Sequence, residues 1–265
     1  MNFLTQGENP FSLDNIRRTL VRLEDTIIFA LIERAQFAQN NDLYNKDAAP
    51  FKDVTNGRTF LEHFLWETEQ VHAKARRYTS PDEYAFTSPL PDPILPSLSF
   101  PKFLAPNDIN VNAQIMDLYL QHIVPKICAE GDDLNYGSAA TRDIECLQAL
   151  SRRIHYGKFV AETKFRSNPK EYSRLAHEHD RDGIDKLLTN SAVEAALLQR
   201  LHRKALIYGQ TVEGPTADEH QTTQLKIPVE VVVDLYKTWV IPLTKLVEVD
   251  YLEKRGLEWD GNVDW

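Results

Sequence analysis

Arg153 and Lys164 stand 11 residues apart in a stretch with helical periodicity, NYGSAATRDIECLQALSRRIHYGKFVAETKFR, residues 135–166. Within it Leu147, Leu150, Ile154, Gly157 and Ala161 recur in steps of three and four, the period of a buried helical face. One continuous helix is expected over 135–166. The cation spacing is almost three turns, so both side chains project from one side, roughly 16 Å apart at about 1.5 Å per residue. Gly157, Val160 and Ala161 lie between them and are small. A mid-helix glycine costs about 1 kcal/mol against alanine, which is understandable where something approaches the backbone closely. Two cations over a floor of small residues would clamp a small dianion. The same spacing also describes two solvated charges on a long helix, and spacing alone does not separate the two.

Other polar residues border apolar stripes and could complete such a site. Arg17 sits one step from Ile16 on a helical stripe, as a surface arginine also could. Asn190 and Glu194 share a face at i,i+4, although Ser191-Ala-Val-Glu194 equally fits a capping box that would occupy the same carboxylate. Thr244 and Glu248 form a second i,i+4 pair, on a helix otherwise apolar at Leu243, Leu246 and Val247. If that face is buried, the Glu248 carboxyl has a raised pKa, because desolvation disfavours its charged form. Asn135, Gly137, Ser138 and Thr141 mark a helix N-terminus whose free amides attract a carboxylate. Arg76 and Arg77 close another helix, where compensation of the helix dipole is sufficient explanation. No nucleophile-plus-base pattern, GxSxG or phosphate-binding glycine loop occurs, so any chemistry rests on positioning and electrostatics.

Composition narrows the partners. The chain has 265 residues with 30 basic against 39 acidic, a net −9, and no basic run, which disfavours nucleic acid and anionic membrane. Two cysteines, Cys128 and Cys146, cannot build a disulfide framework. His177-Glu178-His179 is a close histidine pair without a third ligand at helical spacing, so no metal is expected. Neither a signal peptide nor an apolar run of membrane-spanning length is visible, and a cytoplasmic setting is expected.

The elements that must position these residues are all helical. Stepwise apolar positions predict helices from about residue 12 to 37, 58 to 78, and 110 to 129, followed by the long helix. Shorter helices are expected near 170–178 and 181–188, then one over 191–208 closed by Gly209 as a C′ residue. Residues 40–57 read as a loop. Seven of the 14 prolines fall between Pro81 and Pro106, which excludes a helix there. Interleaved Leu, Ile and Phe argue that this extended connection packs on the protein rather than separating two domains. VEVVVDLY has strand propensity, but Val229, Val232, Tyr236, Val240, Leu243 and Val247 fit helical steps, so a last helix runs from 228 to about 254 with a kink at Pro242. The expected fold is an all-α, single-domain bundle over 1–265 organised on one central helix. About 11 residues at each end are expected to be peripheral.

NIRRTLVRLEDTIIFALIERAQF, ARRYTSPDEYAF, the 135–166 stretch, LTNSAVE and VIPLTKLVEVDYL together resemble the all-helical fungal chorismate mutases, in order from about residue 12 to 253. The resemblance implies a cofactor-free Claisen rearrangement of chorismate to prephenate, in phenylalanine and tyrosine synthesis. It implies that Arg17 and Arg153 bind the two substrate carboxylates and that Lys164 donates to the ether oxygen, with Glu248 facing that oxygen from the other side. Asn190, Glu194 and Thr244 match further substrate contacts. Arg76, Arg77, Asn135, Gly137, Ser138 and Thr141 match an effector site between two subunits of a homodimer, taking tyrosine as inhibitor or tryptophan as activator. The chain departs from the family in one place: Ile227 precedes Pro228 where a threonine is usual, so a weaker allosteric response is expected. The tail RGLEWDGNVDW lies beyond the resemblance. The rival reading is a catalytically idle helical dimer that senses aromatic amino acids. All seven active-site positions are filled, which weighs against it.

Overall fold

A computed structural model describes residues 12–98, 102–211 and 225–261. Helix α1 (Leu13–Arg34) precedes a 3₁₀ turn (Asn41–Tyr44) and α2 (Phe60–Lys74). After the proline-rich connection come α3 (Asn112–Leu118), a π-helical turn (Tyr119–Ile123) and α4 (Val124–Ile127). The centre of the fold is α5 (Tyr136–His155) with α6 (Gly157–Ser167). Then follow α7 (Pro169–His177), α8 (Arg181–Leu188), α9 (Ser191–Tyr208) and α10 (Val229–Leu235). A second π turn (Tyr236–Val240) leads into α11 (Ile241–Leu257). Among the described residues no strand occurs beyond an isolated bridge between Gln210 and Leu225.

The apolar stripes place these helices. Ile27, Ile28 and Leu31 of α1 pack with Leu147, Leu150 and Ile154 of α5 in the largest core cluster, and α11 lies against α5, α6, α7 and α8. One buried polar knot pins α1 to α5: Arg34 Nε donates to Asp143 Oδ1 at 2.6 Å, and the Tyr44 and Tyr119 hydroxyls donate to the same carboxylate. Such a pair is tolerated inside because its hydrogen-bonding capacity is filled. The proline-rich connection packs as expected. Glu69 of α2, fully buried, accepts from Phe86 N at 2.9 Å and Thr87 N at 2.8 Å, while Phe103 and Ala105 farther along are buried.

Several expectations need correction. The stretch 135–166 is two helices, not one: Tyr156 N still bonds Arg152 O, but Phe159 N turns to Tyr156 O, three residues back. Gly157, the weakest helix former of the run, starts α6 at that joint. The second helix stops at Lys74, short of Tyr78, because Arg76 adopts a left-handed φ of 68° before a 3₁₀ turn (Arg77–Thr79). The predicted loop 40–57 contains the Asn41–Tyr44 turn. Gly209 keeps φ −75° rather than the left-handed conformation of a C′ glycine. The last segment is helical, and the π turn Tyr236–Val240 absorbs the irregularity so that Pro242 opens α11 in its first turn.

Candidate active site

Where α5 meets α11, the residues that spacing paired along the chain come together in space. Arg153, at the last turn of α5, is 4% exposed, and its guanidinium donates to Thr244 Oγ1 at 3.4 Å. The guanidinium carbon also stands 5.9 Å from the centroid of the Tyr236 ring. Its Nε is buried and without a hydrogen-bond partner among the described residues, a costly condition that an incoming carboxylate would relieve. Thr244 in turn donates to Val240 O at 2.6 Å, which fixes its rotamer.

One turn further along α11, Glu248 is 9% exposed. Burial pushes its carboxyl up to about 8, against the opposing pull of Arg153, Lys245 and Lys164 in that order. Desolvation therefore wins over three cations, and the group is an acid at neutral pH. Lys164 reaches this carboxyl electrostatically from the last turn of α6, and no hydrogen-bond or ion-pair partner occupies its ammonium among the described residues. The Lys164 cation of α6 and the Arg153 guanidinium of α5 thus act on one buried carboxyl of α11.

Gly157 makes this arrangement possible. A Cβ built there would lie 2.9 Å from Thr244 Cγ2 and 3.1 Å from Glu248 Cγ, so α11 can approach α6 this closely only over a glycine. The close neighbour anticipated at Gly157 is therefore a protein helix, not a ligand. Gly157→Ala is expected to lower the thermal midpoint, with overpacking of about 1–3 kcal/mol outweighing the better helix propensity of alanine. A thermal melt checks this, and a midpoint at or above that of the parent chain would show that α11 can yield.

The remaining predicted residues sit farther out. Asn190 is the N-cap of α9, its side chain accepting from Val193 N at 3.2 Å, so the capping box expected at Ser191 is absent. Glu194 instead pairs with Lys245 at 2.8 Å, and Lys245 also donates to Thr189 Oγ1 at 2.9 Å. Lys245 thereby ties the α8–α9 junction to the helix that carries Thr244 and Glu248. Sequence reasoning passed over it, although it lies three residues before Glu248. Arg17 is not brought into this group: its side chain is 65% exposed and meets Asp14 at 3.6 Å. Its neighbour Ile16, however, packs with Tyr156 and Phe159 at the α5–α6 joint.

The second group divides in two. Arg77 donates to Gln148 Oε1 at 2.8 Å and bonds Glu83 at 3.2 Å, while Arg76 donates to Pro96 O. Asn135, Gly137 and Ser138 are at the opposite end of α5, exposed, and Thr141 Oγ1 donates to Gly137 O at 2.8 Å. Gln148 is separated from Ser138 and Asn135 by 10 to 13 residues of this helix, or about 15–20 Å at the standard rise. Within one chain these residues do not form one site. Among the described residues no group of three or more His, Cys, Asp or Glu could hold a metal ion, and no helix is long and apolar enough to cross a membrane.

The class of protein that this helical scaffold and site fit is one that holds a compact anion: a buried arginine and a buried carboxyl stand together, with a lysine that has no hydrogen-bond partner among the described residues acting on the same carboxyl. The family model for chorismate mutase type II matches residues 135–249, a range that includes Arg153, Lys164, Thr244 and Glu248. The chorismate mutase of Schizosaccharomyces pombe is 48% identical over 247 residues, covering 92% of this chain and 96% of that protein. The crystal structure of the Candida albicans chorismate mutase Aro7p, in complex with L-Trp, superposes with a TM-score of 0.88 at 45% identity, covering 98% of this chain and 97% of that one. The structure of AtCM1 with tyrosine bound in its allosteric site gives a TM-score of 0.82 at 40% identity, over 94% of this chain and 98% of that one. The chain belongs to the chorismate mutase family and is an isomerase. The idle-sensor reading is set aside.

Proposed function

We propose that the space between Arg153, Lys164, Thr244 and Glu248 is where chorismate is folded and rearranged to prephenate. The observation that carries this reading is geometric: Arg153 meets Thr244 at a buried face of α11 whose next turn carries the buried Glu248, packed over Gly157 at the start of the helix that bears Lys164. The reaction breaks a C–O bond as a C–C bond forms in a compact conformer of the substrate. Arg153 binds one carboxylate through its fork of N–H donors, with Thr244 beside it. Arg17 leaves its exposed pairing with Asp14, which is worth little, to take the other carboxylate. Asn190 and Glu194 contact the far side of the substrate. Holding both ends replaces a conformational search by a near-attack geometry. As the ether bond breaks, negative charge grows on its oxygen, and Lys164 and the Glu248 O–H donate to it from opposite sides. No cofactor supplies any part of this scheme.

Regulation and assembly follow the same reading. Arg76 and Arg77 of one copy meet Asn135, Gly137, Ser138 and Thr141 of a second, and tyrosine or tryptophan binds between them. Two observations support this: in one chain Arg77 meets α5 at Gln148, 10 to 13 residues from Ser138 and Asn135, and related structures carry L-Trp or tyrosine. The working unit is then a homodimer of one-domain chains, in the cytoplasm. Ile227 is a buried apolar residue without a side-chain hydrogen bond to offer, so the effector response is weaker than a threonine at that position would allow. Loss of chorismate absorbance tests the whole scheme. The expected result is turnover, moderate inhibition by tyrosine relieved by tryptophan, and loss of both effects in Arg77→Ala. Absence of turnover would refute the activity; full effector response in Arg77→Ala would refute the effector site. Strong tyrosine inhibition would refute the role given to Ile227.

A further inference from the structure

The turn of α6 that carries Lys164 is gripped by the C-terminal part of α11 and by α7. Phe165, the next residue, is fully buried, and its ring is contacted on several sides. The Arg255 guanidinium carbon stands 4.3 Å from the ring centroid. Trp259 meets the ring edge-on at 6.2 Å and 82°, and Tyr172 lies at 6.5 Å. Glu162, in the same turn and also fully buried, accepts from the Tyr251 hydroxyl at 2.7 Å and pairs with Arg255 at 3.4 Å. Tyr251 and Arg255 belong to α11, and Trp259 lies just past its last residue, Leu257. The helix that presents Glu248 is therefore continued by residues that hold the turn presenting Lys164.

Helix ends fray, and Lys164 stands in the last turn before Ser167. A ring locked beside it fixes the rotational setting of that turn, and with it the direction in which the lysine leaves the helix. Trp259 is the outermost of the contacts, half-buried, in the tail for which the family resemblance offers no role. We propose that Trp259 is a positioning residue for the rearrangement: through Phe165 it sets Lys164 against Glu248. The proposal rests on the roles given to Lys164 and Glu248 above.

The test uses the full-length Trp259→Ala and Trp259→Phe variants, with Lys164→Ala in parallel. Trp259→Ala is expected to lower kcat roughly 10-fold, since a misplacement of about 1 Å can cost as much as 100-fold. KM changes little, because Arg153 and Thr244 are not in contact with the tail. The second readout is the alkaline limb of the pH–rate profile. The charged groups acting on Glu248 are Arg153 of α5, Lys245 of α11, Lys164 of α6 and Asp185 of α8. Only the pull of Lys164 is lost if its turn loosens, so the limb moves to higher pH while Trp259→Phe restores its place. A purely structural role would lower the thermal midpoint and leave the limb where it was, and that result overturns the proposal. So does an unchanged kcat in folded Trp259→Ala. If Trp259→Ala does not fold, Trp259→Leu, which also removes the edge-on ring but keeps apolar bulk, takes its place with the same two outcomes. Full activity in Lys164→Ala would instead refute the reading of the site on which the proposal stands.

Discussion

Lys164→Ala lowers kcat for chorismate rearrangement by about 100- to 1000-fold, the usual effect of deleting one donor to a developing oxyanion. The size follows from where the charge appears. In the substrate the ether oxygen is a weak acceptor, and a cation beside it contributes modestly to binding. In the transition state the same oxygen carries growing negative charge inside a site walled by α5, α6 and α11, where the interaction is poorly screened. The lysine thus acts mainly on kcat. KM rises as well, to the extent that the ammonium also touches a carboxylate. Lys164→Arg keeps the charge but exchanges a compact ammonium for a planar fork, and recovers only part of the loss. Single-turnover measurement of chorismate consumption separates the two parameters. A loss smaller than about 10-fold would place Lys164 outside the reacting region.

The parts of this site that were legible in the sequence are those governed by helical periodicity. Thr244 with Glu248 is a local relation that the structure keeps on one helix, and Arg153 and Lys164 are both helical as expected, although they fall on two helices, α5 and α6, instead of one. The joint at Tyr156 was not legible, because residues 135–166 keep a helical pattern across it and the break is a packing event. The role of Gly157 depends on Thr244 and Glu248, which are 87 and 91 residues away in the chain. Lys245 escaped for the same reason: its partners Glu194 and Thr189 come from another helix pair. The Glu194 carboxylate had two local explanations, a cap and a ligand, and a long-range ion pair displaced the first. Named family motifs supplied the reaction itself, which periodicity has no means to express. The effector residues were joined only through that resemblance, since Arg76 and Arg77 follow α2 whereas Asn135, Gly137, Ser138 and Thr141 open α5.

Activity falls as pH rises through about 8, and Glu248→Gln abolishes that fall. The Glu248 carboxyl titrates at about 8 in the folded chain, raised from an ordinary 4.5 by burial. Below that pH the group is protonated and donates to the ether oxygen; above it the carboxylate repels the charge that the reaction creates there. An exposed glutamate acting as a base would give the opposite limb. Glutamine donates an N–H at every pH, so the variant keeps turnover and loses the alkaline limb. Stability moves in the same direction. A folded pKa above the unfolded one means that the contribution of Glu248 is complete below about 4.5 and is lost as pH rises to about 8. The thermal midpoint of the parent chain should therefore fall across that window more than the midpoint of Glu248→Gln. Lys158 also titrates near neutrality, lowered to about 7 by burial, but its ammonium donates to Ile109 O and lies over the Tyr84 ring. If Lys158 set the limb, Glu248→Gln would keep it. The two alanine and glutamine experiments also check each other, because the Lys164 cation lowers the Glu248 pKa. Residual activity of Lys164→Ala must then lose its alkaline limb at a higher pH than the parent chain, and a shift to lower pH would break the assignment of both residues.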